Sequence, residues 1–299
     1  MMVNFFTTLA GILTGLIYLI VTLLALALFA IWLQTRDLFF LLANLFSPSR
    51  RAGSVVPLGS PGHGGKWPKY IPPINGIDSR SPCPALNALA NHEILPHDGQ
   101  QLTYKQISRA VQHAYNLAPT LADQLTSSAR LLDQGRGHIN LNDLNALNVV
   151  QHDASFTRPD IAFCPDQSFP HPSMVDMLLD HAKNGKSLSV DDIAYYSGLR
   201  RAKSKRSNGQ YSLTWSFLHK FFGSGNSALM YSIFGGDVRD LRIWLSEERF
   251  PDGWEPKNRE AHGHTIAQAQ ATSLTIEFNI NEKQKLYPKD VAYLESNEQ

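Results

Sequence analysis

The chain has 299 residues, 43% of them hydrophobic, and a formal net charge of +1. This can bury one large core or two ordinary ones, and so balanced a charge gives no basis for a nucleic-acid partner. Two cysteines in so long a chain exclude a disulfide-built scaffold.

The first element is an uncharged run. No Asp, Glu, Lys or Arg occurs from Phe5 to Leu33. As a helix this run is about 45 Å long, more than the ~30 Å hydrocarbon core of a bilayer requires, so it can tilt. Phe5, Phe6 and Trp32 stand where interfacial belts form. A cleaved secretory signal is the competing reading, but the run is long for one and no basic residue precedes it. Residues 1–36 are therefore read as a single-pass transmembrane anchor in contact with membrane lipid. Arg36, Arg50 and Arg51 all follow the run, which places the C-terminal bulk in the cytoplasm by the positive-inside rule. The lack of an Asn-x-Ser/Thr glycosylation acceptor agrees.

Residues 37–66 read as a juxtamembrane segment and linker. Leu38-Phe39-Phe40-Leu41-Leu42 can lie flat on the membrane or pack as a helix against the domain, and both readings stay open. Residues 47–73 are rich in Pro, Gly and Ser and predict a semi-rigid linker. The folded domain is expected to start near Trp67 or Tyr70.

The next stretch organises the chain. In Ser81-Pro82-Cys83-Pro84-Ala85-Leu86-Asn87-Ala88-Leu89-Ala90-Asn91-His92, Pro84 suits the first position of a helix that the alanines and leucines propagate. Cys83 then falls at the helix N-cap, where unpaired N–H groups and the positive dipole end favour a thiolate and metal ligation. A loop cysteine before an ordinary helix is the plain alternative.

Asp78 to His92, followed by Leu95-Pro96 and Gly99, resembles the proximal segment of the fungal heme-thiolate peroxidases, the family of chloroperoxidase and the unspecific peroxygenases. The family pattern there runs RSPCPxLNxLANHGxLPRxG. The resemblance implies an all-α fold, a heme b cofactor and Cys83 as the axial ligand of its iron. A thiolate ligand pushes electron density onto iron and favours O–O cleavage. Most family members are secreted, so an anchored, cytosol-facing version at the endoplasmic reticulum is a departure.

Thr103 predicts an N-cap for a helix through Tyr115, and residues 118–132 form a second amphipathic pattern. Residues 139–144 predict the opening of a helix running into the next motif, and residues 273–280 alternate like a strand. That motif, Asn148-Val149-Val150-Gln151-His152-Asp153-Ala154-Ser155-Phe156-Thr157-Arg158, resembles the family's NxIEHDASLxR on the distal side of the heme. The resemblance assigns a Mg²⁺ site to Gln151, the His152 carbonyl and Ser155. Gln151 replaces the family's acid, so the cation loses a charged ligand. A hydrogen-bonded helix end is the alternative for Gln151 and Ser155.

The family's catalytic glutamate, which shuttles a proton between peroxide oxygens, falls on Asn226 in Gly225-Asn226-Ser227-Ala228. An amide can orient peroxide but cannot relay a proton. His152 can take over as the acid–base group, since histidine titrates near neutral pH. The function implied is peroxide-dependent oxidation of a hydrophobic small molecule of fungal secondary metabolism. The alternative is a heme protein that has lost peroxide activation and carries out a dehydration, isomerisation or rearrangement, or a non-catalytic scaffold.

Ser189 predicts the cap of a helix leading to Arg200-Arg201-Ala202-Lys203-Ser204-Lys205-Arg206, read as a solvated basic face or a contact for anionic lipid. Glu247-Glu248-Arg249-Phe250-Pro251-Asp252-Gly253-Trp254 resembles the family's closing ER-x-P-x-GW motif and reads as structural, with Trp254 buried. Phe156, Phe163, Phe217, Phe221, Phe222, Leu229 and Phe234 fit either plain core or a substrate wall. His262-Gly263-His264 reads as a loop. Residues 67–256 form the peroxidase-like domain, and residues 257–299 a polar C-terminal extension.

Overall fold

The computed structural model describes residues 2–149, 151–211 and 217–295; Phe5, Phe6, Phe217, Phe221 and Phe222 have side chains outside this description. Ten helices account for most of the described residues: α1 (Met2–Phe46), α2 (Pro84–Asn91), α3 (Tyr104–Tyr115), α4 (Pro119–Ser128), α5 (Pro172–Leu179), α6 (Val190–Ser207), α7 (Phe217–Phe234), α8 (Val238–Glu247), α9 (Ile266–Asn279) and α10 (Pro288–Glu295). Strands β1 (Leu102–Thr103) and β2 (His138–Ile139) form one short antiparallel pair.

Local chemistry starts these helices where the residues predict. Thr103 caps α3 in a reciprocal box with Gln106, and Ser189 caps α6 in the same way with Asp192. Pro84 and Pro119 occupy first-turn positions, where no N–H is missed. Residues 139–144 depart from expectation. The pair β1–β2 takes up Ile139, and only a 3-10 turn over Leu141–Asn145 follows.

The largest helix pairing is α7 on α9. This corrects the reading of the C-terminal extension. Ile266, Ala269, Ser273 and Ile276 recur at helical spacing and are buried against the domain, so residues 273–279 are helix rather than strand. Further on, Asp290 of α10 accepts from Tyr195 Oη at 2.8 Å and faces His181 Nε2 at 3.1 Å.

The expected linker is also part of the domain. Val55 and Val56 are fully buried. The Arg50 guanidinium donates to the carbonyls of Ala261 and Val55, and Glu255 accepts from the N–H groups of Gly53 and Val55. Side-chain and backbone bonds to residues far along the chain override the Pro/Gly composition that predicts looseness.

α1 is one unbroken helix long and apolar enough to cross a membrane. Its last turns pack against α4 and α9 on one flank, while Leu38, Phe39, Leu42, Leu45 and Phe46 stay exposed on the other, so the two readings of this stretch apply to different faces of one helix. Asp37, 1% exposed, accepts from Ile266 N and Ala267 N at 2.9 Å each, capping α9, and from Thr120 Oγ1. Asn44 donates to Gly263 O and accepts from His262 N.

Candidate active site

Cys83 is the N-cap of α2, with extended backbone (φ −94°, ψ 106°). Pro82 through Leu86 are half-buried, while Asn87 through Asn91 are buried, so the open part of this helix is the turn carrying the sulfur. Burial pushes the Cys83 thiol pKa up; the N–H groups of Leu86 and Ala85 and the Arg158 guanidinium pull it down, and the Glu248 carboxylate adds to the rise. Neither N–H closes a capping hydrogen bond on the sulfur.

A polar frame fixes the cysteine turn. Cys83 N donates to Ser81 Oγ at 3.2 Å. Asn87 Oδ1 accepts from Ser81 N and Ser81 Oγ, and Asn87 Nδ2 donates to Ser81 O and to Glu248 Oε2, both at 2.8 Å. The other carboxylate oxygen of Glu248 takes Arg158 Nη2 at 2.6 Å, and Asn91 Nδ2 donates to the Glu248 carbonyl. Burial raises the Glu248 pKa, and Arg158 and Asn87 oppose that rise. The closing motif is thus a hub of the cysteine turn, a role its sequence does not announce. Beyond it, Trp67 stacks on Phe250 at 3.8 Å, and the buried Trp254 stacks on Phe250 and Phe234. Phe234 is therefore core, whereas Phe156, Phe163 and Leu229 are half-buried. His92 at the end of α2 accepts from Phe250 N through Nε2 and faces Pro68 O through Nδ1, which makes Nδ1 the protonated nitrogen.

The segment carrying His152 lies among buried polar groups. His152 Nδ1 is 2.8 Å from the Asp153 carbonyl, so in the neutral ring Nδ1 carries the proton. A Cβ on Gly223 of α7 would sit 3.1 Å from His152 Cε1 and 3.2 Å from Nε2; the glycine lets α7 rest against this edge. Asn226, one turn further along α7, is exposed. Gln151 donates through Nε2 to Gln167 Oε1 at 2.6 Å, and the Ser155 carbonyl accepts from Arg200 Nε at 2.8 Å. These bonds use the Gln151 amide nitrogen and the Ser155 carbonyl rather than the amide and hydroxyl oxygens that a cation would take, and no cluster of three or more His, Cys, Asp or Glu able to hold a metal occurs among the described residues.

The basic stretch of α6 departs from both of its readings. Arg200, Arg201 and Lys203 are buried. Arg200 Nη2 is 3.3 Å from Asp160, Arg201 grips Glu277 through two nitrogens, and Lys203 donates to the Tyr293 carbonyl. Only Lys205 and Arg206 of the stretch are exposed. A cavity of about 520 Å³ lies at the far end of α2, lined by Trp67, Tyr70, His92, Arg249 and Asp252 rather than Cys83.

Cys83 fits a heme. Its sulfur is a soft donor at a helix N-terminus, which a bound iron would hold as the thiolate against the upward push of burial, and its backbone is locked by a buried frame on the open turn of an otherwise buried helix. The mostly helical fold and the cysteine turn agree with a heme-thiolate protein of the peroxidase class. The chain belongs to peroxidase family 2, whose model matches residues 68–259. It is similar to a chloroperoxidase of Leptoxyphium fumago, 35% identical over 98 residues, covering 30% of this chain and 26% of that protein. An aromatic peroxygenase of Coprinellus radians is 26% identical over 221 residues, covering 63% and 83%. One from Cyclocybe aegerita is 31% identical over 129 residues, covering 37% and 34%. The chain thus spans about a quarter of the chloroperoxidase and a third of the C. aegerita protein.

Proposed function

We propose that this chain is a membrane-tethered heme-thiolate oxidoreductase that uses peroxide to oxidise a hydrophobic small molecule. The observation that carries this is the half-open Cys83 turn, held by Ser81, Asn87 and Glu248. Bound there, a thiolate-ligated heme supplies oxygen-transfer or one-electron chemistry. Cys83 holds the iron. His152, protonated at Nδ1 by its bond to the Asp153 carbonyl, accepts and returns a proton at Nε2. Asn226 orients a small polar ligand but holds no transferable proton. Gln151 and Ser155 keep the His152 segment in place through Gln167 and Arg200. The half-buried Phe156, Phe163 and Leu229 offer an apolar wall. The tether is α1, with the domain facing the cytoplasm at the endoplasmic reticulum.

The exposed amide of Asn226 favours a second reading, in which peroxide activation is lost and the heme serves a non-oxidative step. One experiment separates the two. The purified holoprotein should show the red-shifted ferrous–CO band of thiolate ligation, lost in Cys83→Ala, and should turn over apolar aromatic substrates only with peroxide. Product without any oxidant supports the second reading; an unchanged spectrum in Cys83→Ala overturns both.

A further inference from the structure

We propose that the exposed apolar flank of α1 beyond its span, formed by Leu38, Phe39, Leu42, Leu45 and Phe46, lies on the bilayer surface and sets how the catalytic domain sits on the membrane. This rests on the reading of α1 as a membrane anchor.

Three observations carry it. First, the helix does not break between the apolar run and the domain, so anchor and domain are joined by a strut rather than a tether. Second, the strut is bolted on one flank. Leu33 and Asp37 are buried, Asp37 caps α9, Asn44 bonds on both sides of the 262–263 peptide, and Arg36 pairs with Asp123 at 3.7 Å. Third, the opposite flank is apolar and bare: Phe39 is 68% and Phe46 88% exposed, with Leu38, Leu42 and Leu45 between them. At 3.6 residues per turn these five side chains fill an arc of about 120°, facing away from Leu33, Asp37 and Asn44. No charged residue interrupts them.

The occupant follows from continuity with the span. The uncharged run through Leu33 is about 15 Å longer than the hydrocarbon core, and tilting is the ordinary accommodation. A tilted helix leaves the membrane with one flank close to the headgroups. The domain occupies the other flank, so steric exclusion leaves only the bare flank to face the lipid. An amphipathic stretch with large apolar side chains partitions there. The exposed Arg51 follows it, where a headgroup phosphate would meet it.

The test uses the full-length chain in phosphatidylcholine vesicles carrying a photoactivatable diazirine, placed either beside the glycerol or at the acyl terminus. Trypsin, cutting after Arg36 and Arg50, separates the flank (residues 37–50) from the span. The expected result is labelling of residues 37–50 by the glycerol-proximal probe and of residues 1–36 by the acyl-terminal one. Phe39→Glu/Phe46→Glu should lower the first signal at least tenfold while the chain still floats with vesicles and unfolds at an unchanged temperature. Adducts confined to residues 1–36 in a chain that floats overturn this proposal and leave the anchor reading standing. Cross-linking of residues 37–50 to a second copy also overturns it. A chain that does not float at all overturns the anchor reading itself, and this proposal with it.

Discussion

Arg158 and Glu248 form a buried ion pair, Nη2 to Oε1 2.6 Å, between side chains that are 1% and 4% exposed. It ties the end of the His152 segment to the closing motif, and through Asn87 to the cysteine turn. Removing one partner strands a buried charge, which costs about 3–5 kcal/mol. Arg158→Met and Glu248→Leu should each lose that much stability in urea unfolding, while the double variant should recover more than half. Equal and additive losses would show that the two side chains are not coupled. Glu248→Gln keeps an acceptor for Asn87 and should retain the Cys83–heme spectrum better than Glu248→Leu.

Asp37 joins α1 to the domain. Its carboxylate takes two N–H groups of the first turn of α9 and the Thr120 hydroxyl. Asp37→Ala leaves those donors unsatisfied at a buried site, so a loss of about 2–3 kcal/mol is expected. Trypsin should then cut after Arg36 and Arg50 much faster in the variant. Unchanged cutting rates and thermal unfolding would mean that α1 is not held by this contact.

Asp153 gives the stability a pH dependence. Burial, and after it the neighbouring Asp160 carboxylate, push its pKa up to about 6. In the unfolded chain the group ionises near ~3.9. The folded state therefore binds more protons between these values; this stabilisation is whole below the unfolded pKa and is lost as pH rises through the folded one. Asp153→Asn stays neutral throughout, so relative to wild type it should gain up to about 3 kcal/mol between pH 4 and pH 7. The same urea midpoint difference at pH 4 and pH 7.5 would remove Asp153 as the cause.

What the residues alone made legible was local. Pro84 before an Ala/Leu run, Thr103 with Gln106 and Ser189 with Asp192 act within one turn, so spacing in sequence is spacing in space. What was hidden depended on distant partners. Arg201 looks solvated until Glu277 is placed against it, 76 residues away. Residues 47–66 look loose until Glu255 and Ala261 supply their bonds. In α9 a serine sits among the buried positions, and this breaks the apolar pattern that marks a helix. Within the candidate site, Cys83 and its cap were legible, but the convergence of Asn87, Asn91 and Arg158 on Glu248 was not, because nothing in a lone acidic residue shows which helices it will join.

Arg201 and Glu277 carry a prediction of their own. The bidentate pair joins α6 to α9, and Ser224 Oγ of α7 adds a bond to the same carboxylate at 2.6 Å. Burial raises the Glu277 pKa, but bonds from Arg201 and Ser224 outweigh it, so the net shift is downward. Its stabilisation is thus present above the unfolded pKa near ~4.3 and is lost as pH falls through the folded value. Glu277→Gln should destabilise wild-type-like protein at pH 7 and cost progressively less in acid. A constant cost across that range would show that the pair's charge contributes nothing.

Asn226 offers a gain-of-function test of the catalytic reading. It stands one turn beyond Gly223, whose missing side chain lets α7 touch the Nε2 edge of His152. A carboxyl group one turn from that contact could take up and give back a proton, which an amide cannot do. A positioned acid–base group contributes about 10²–10⁴-fold to such a proton transfer. Asn226→Glu should therefore raise peroxide-dependent turnover by at least about 10²-fold with little change in the ferrous–CO spectrum, while His152→Ala should abolish turnover in the wild-type background. If Asn226→Glu leaves the rate unchanged while peroxide still binds, position 226 is not where the proton moves, and His152 alone, or another group, carries that role.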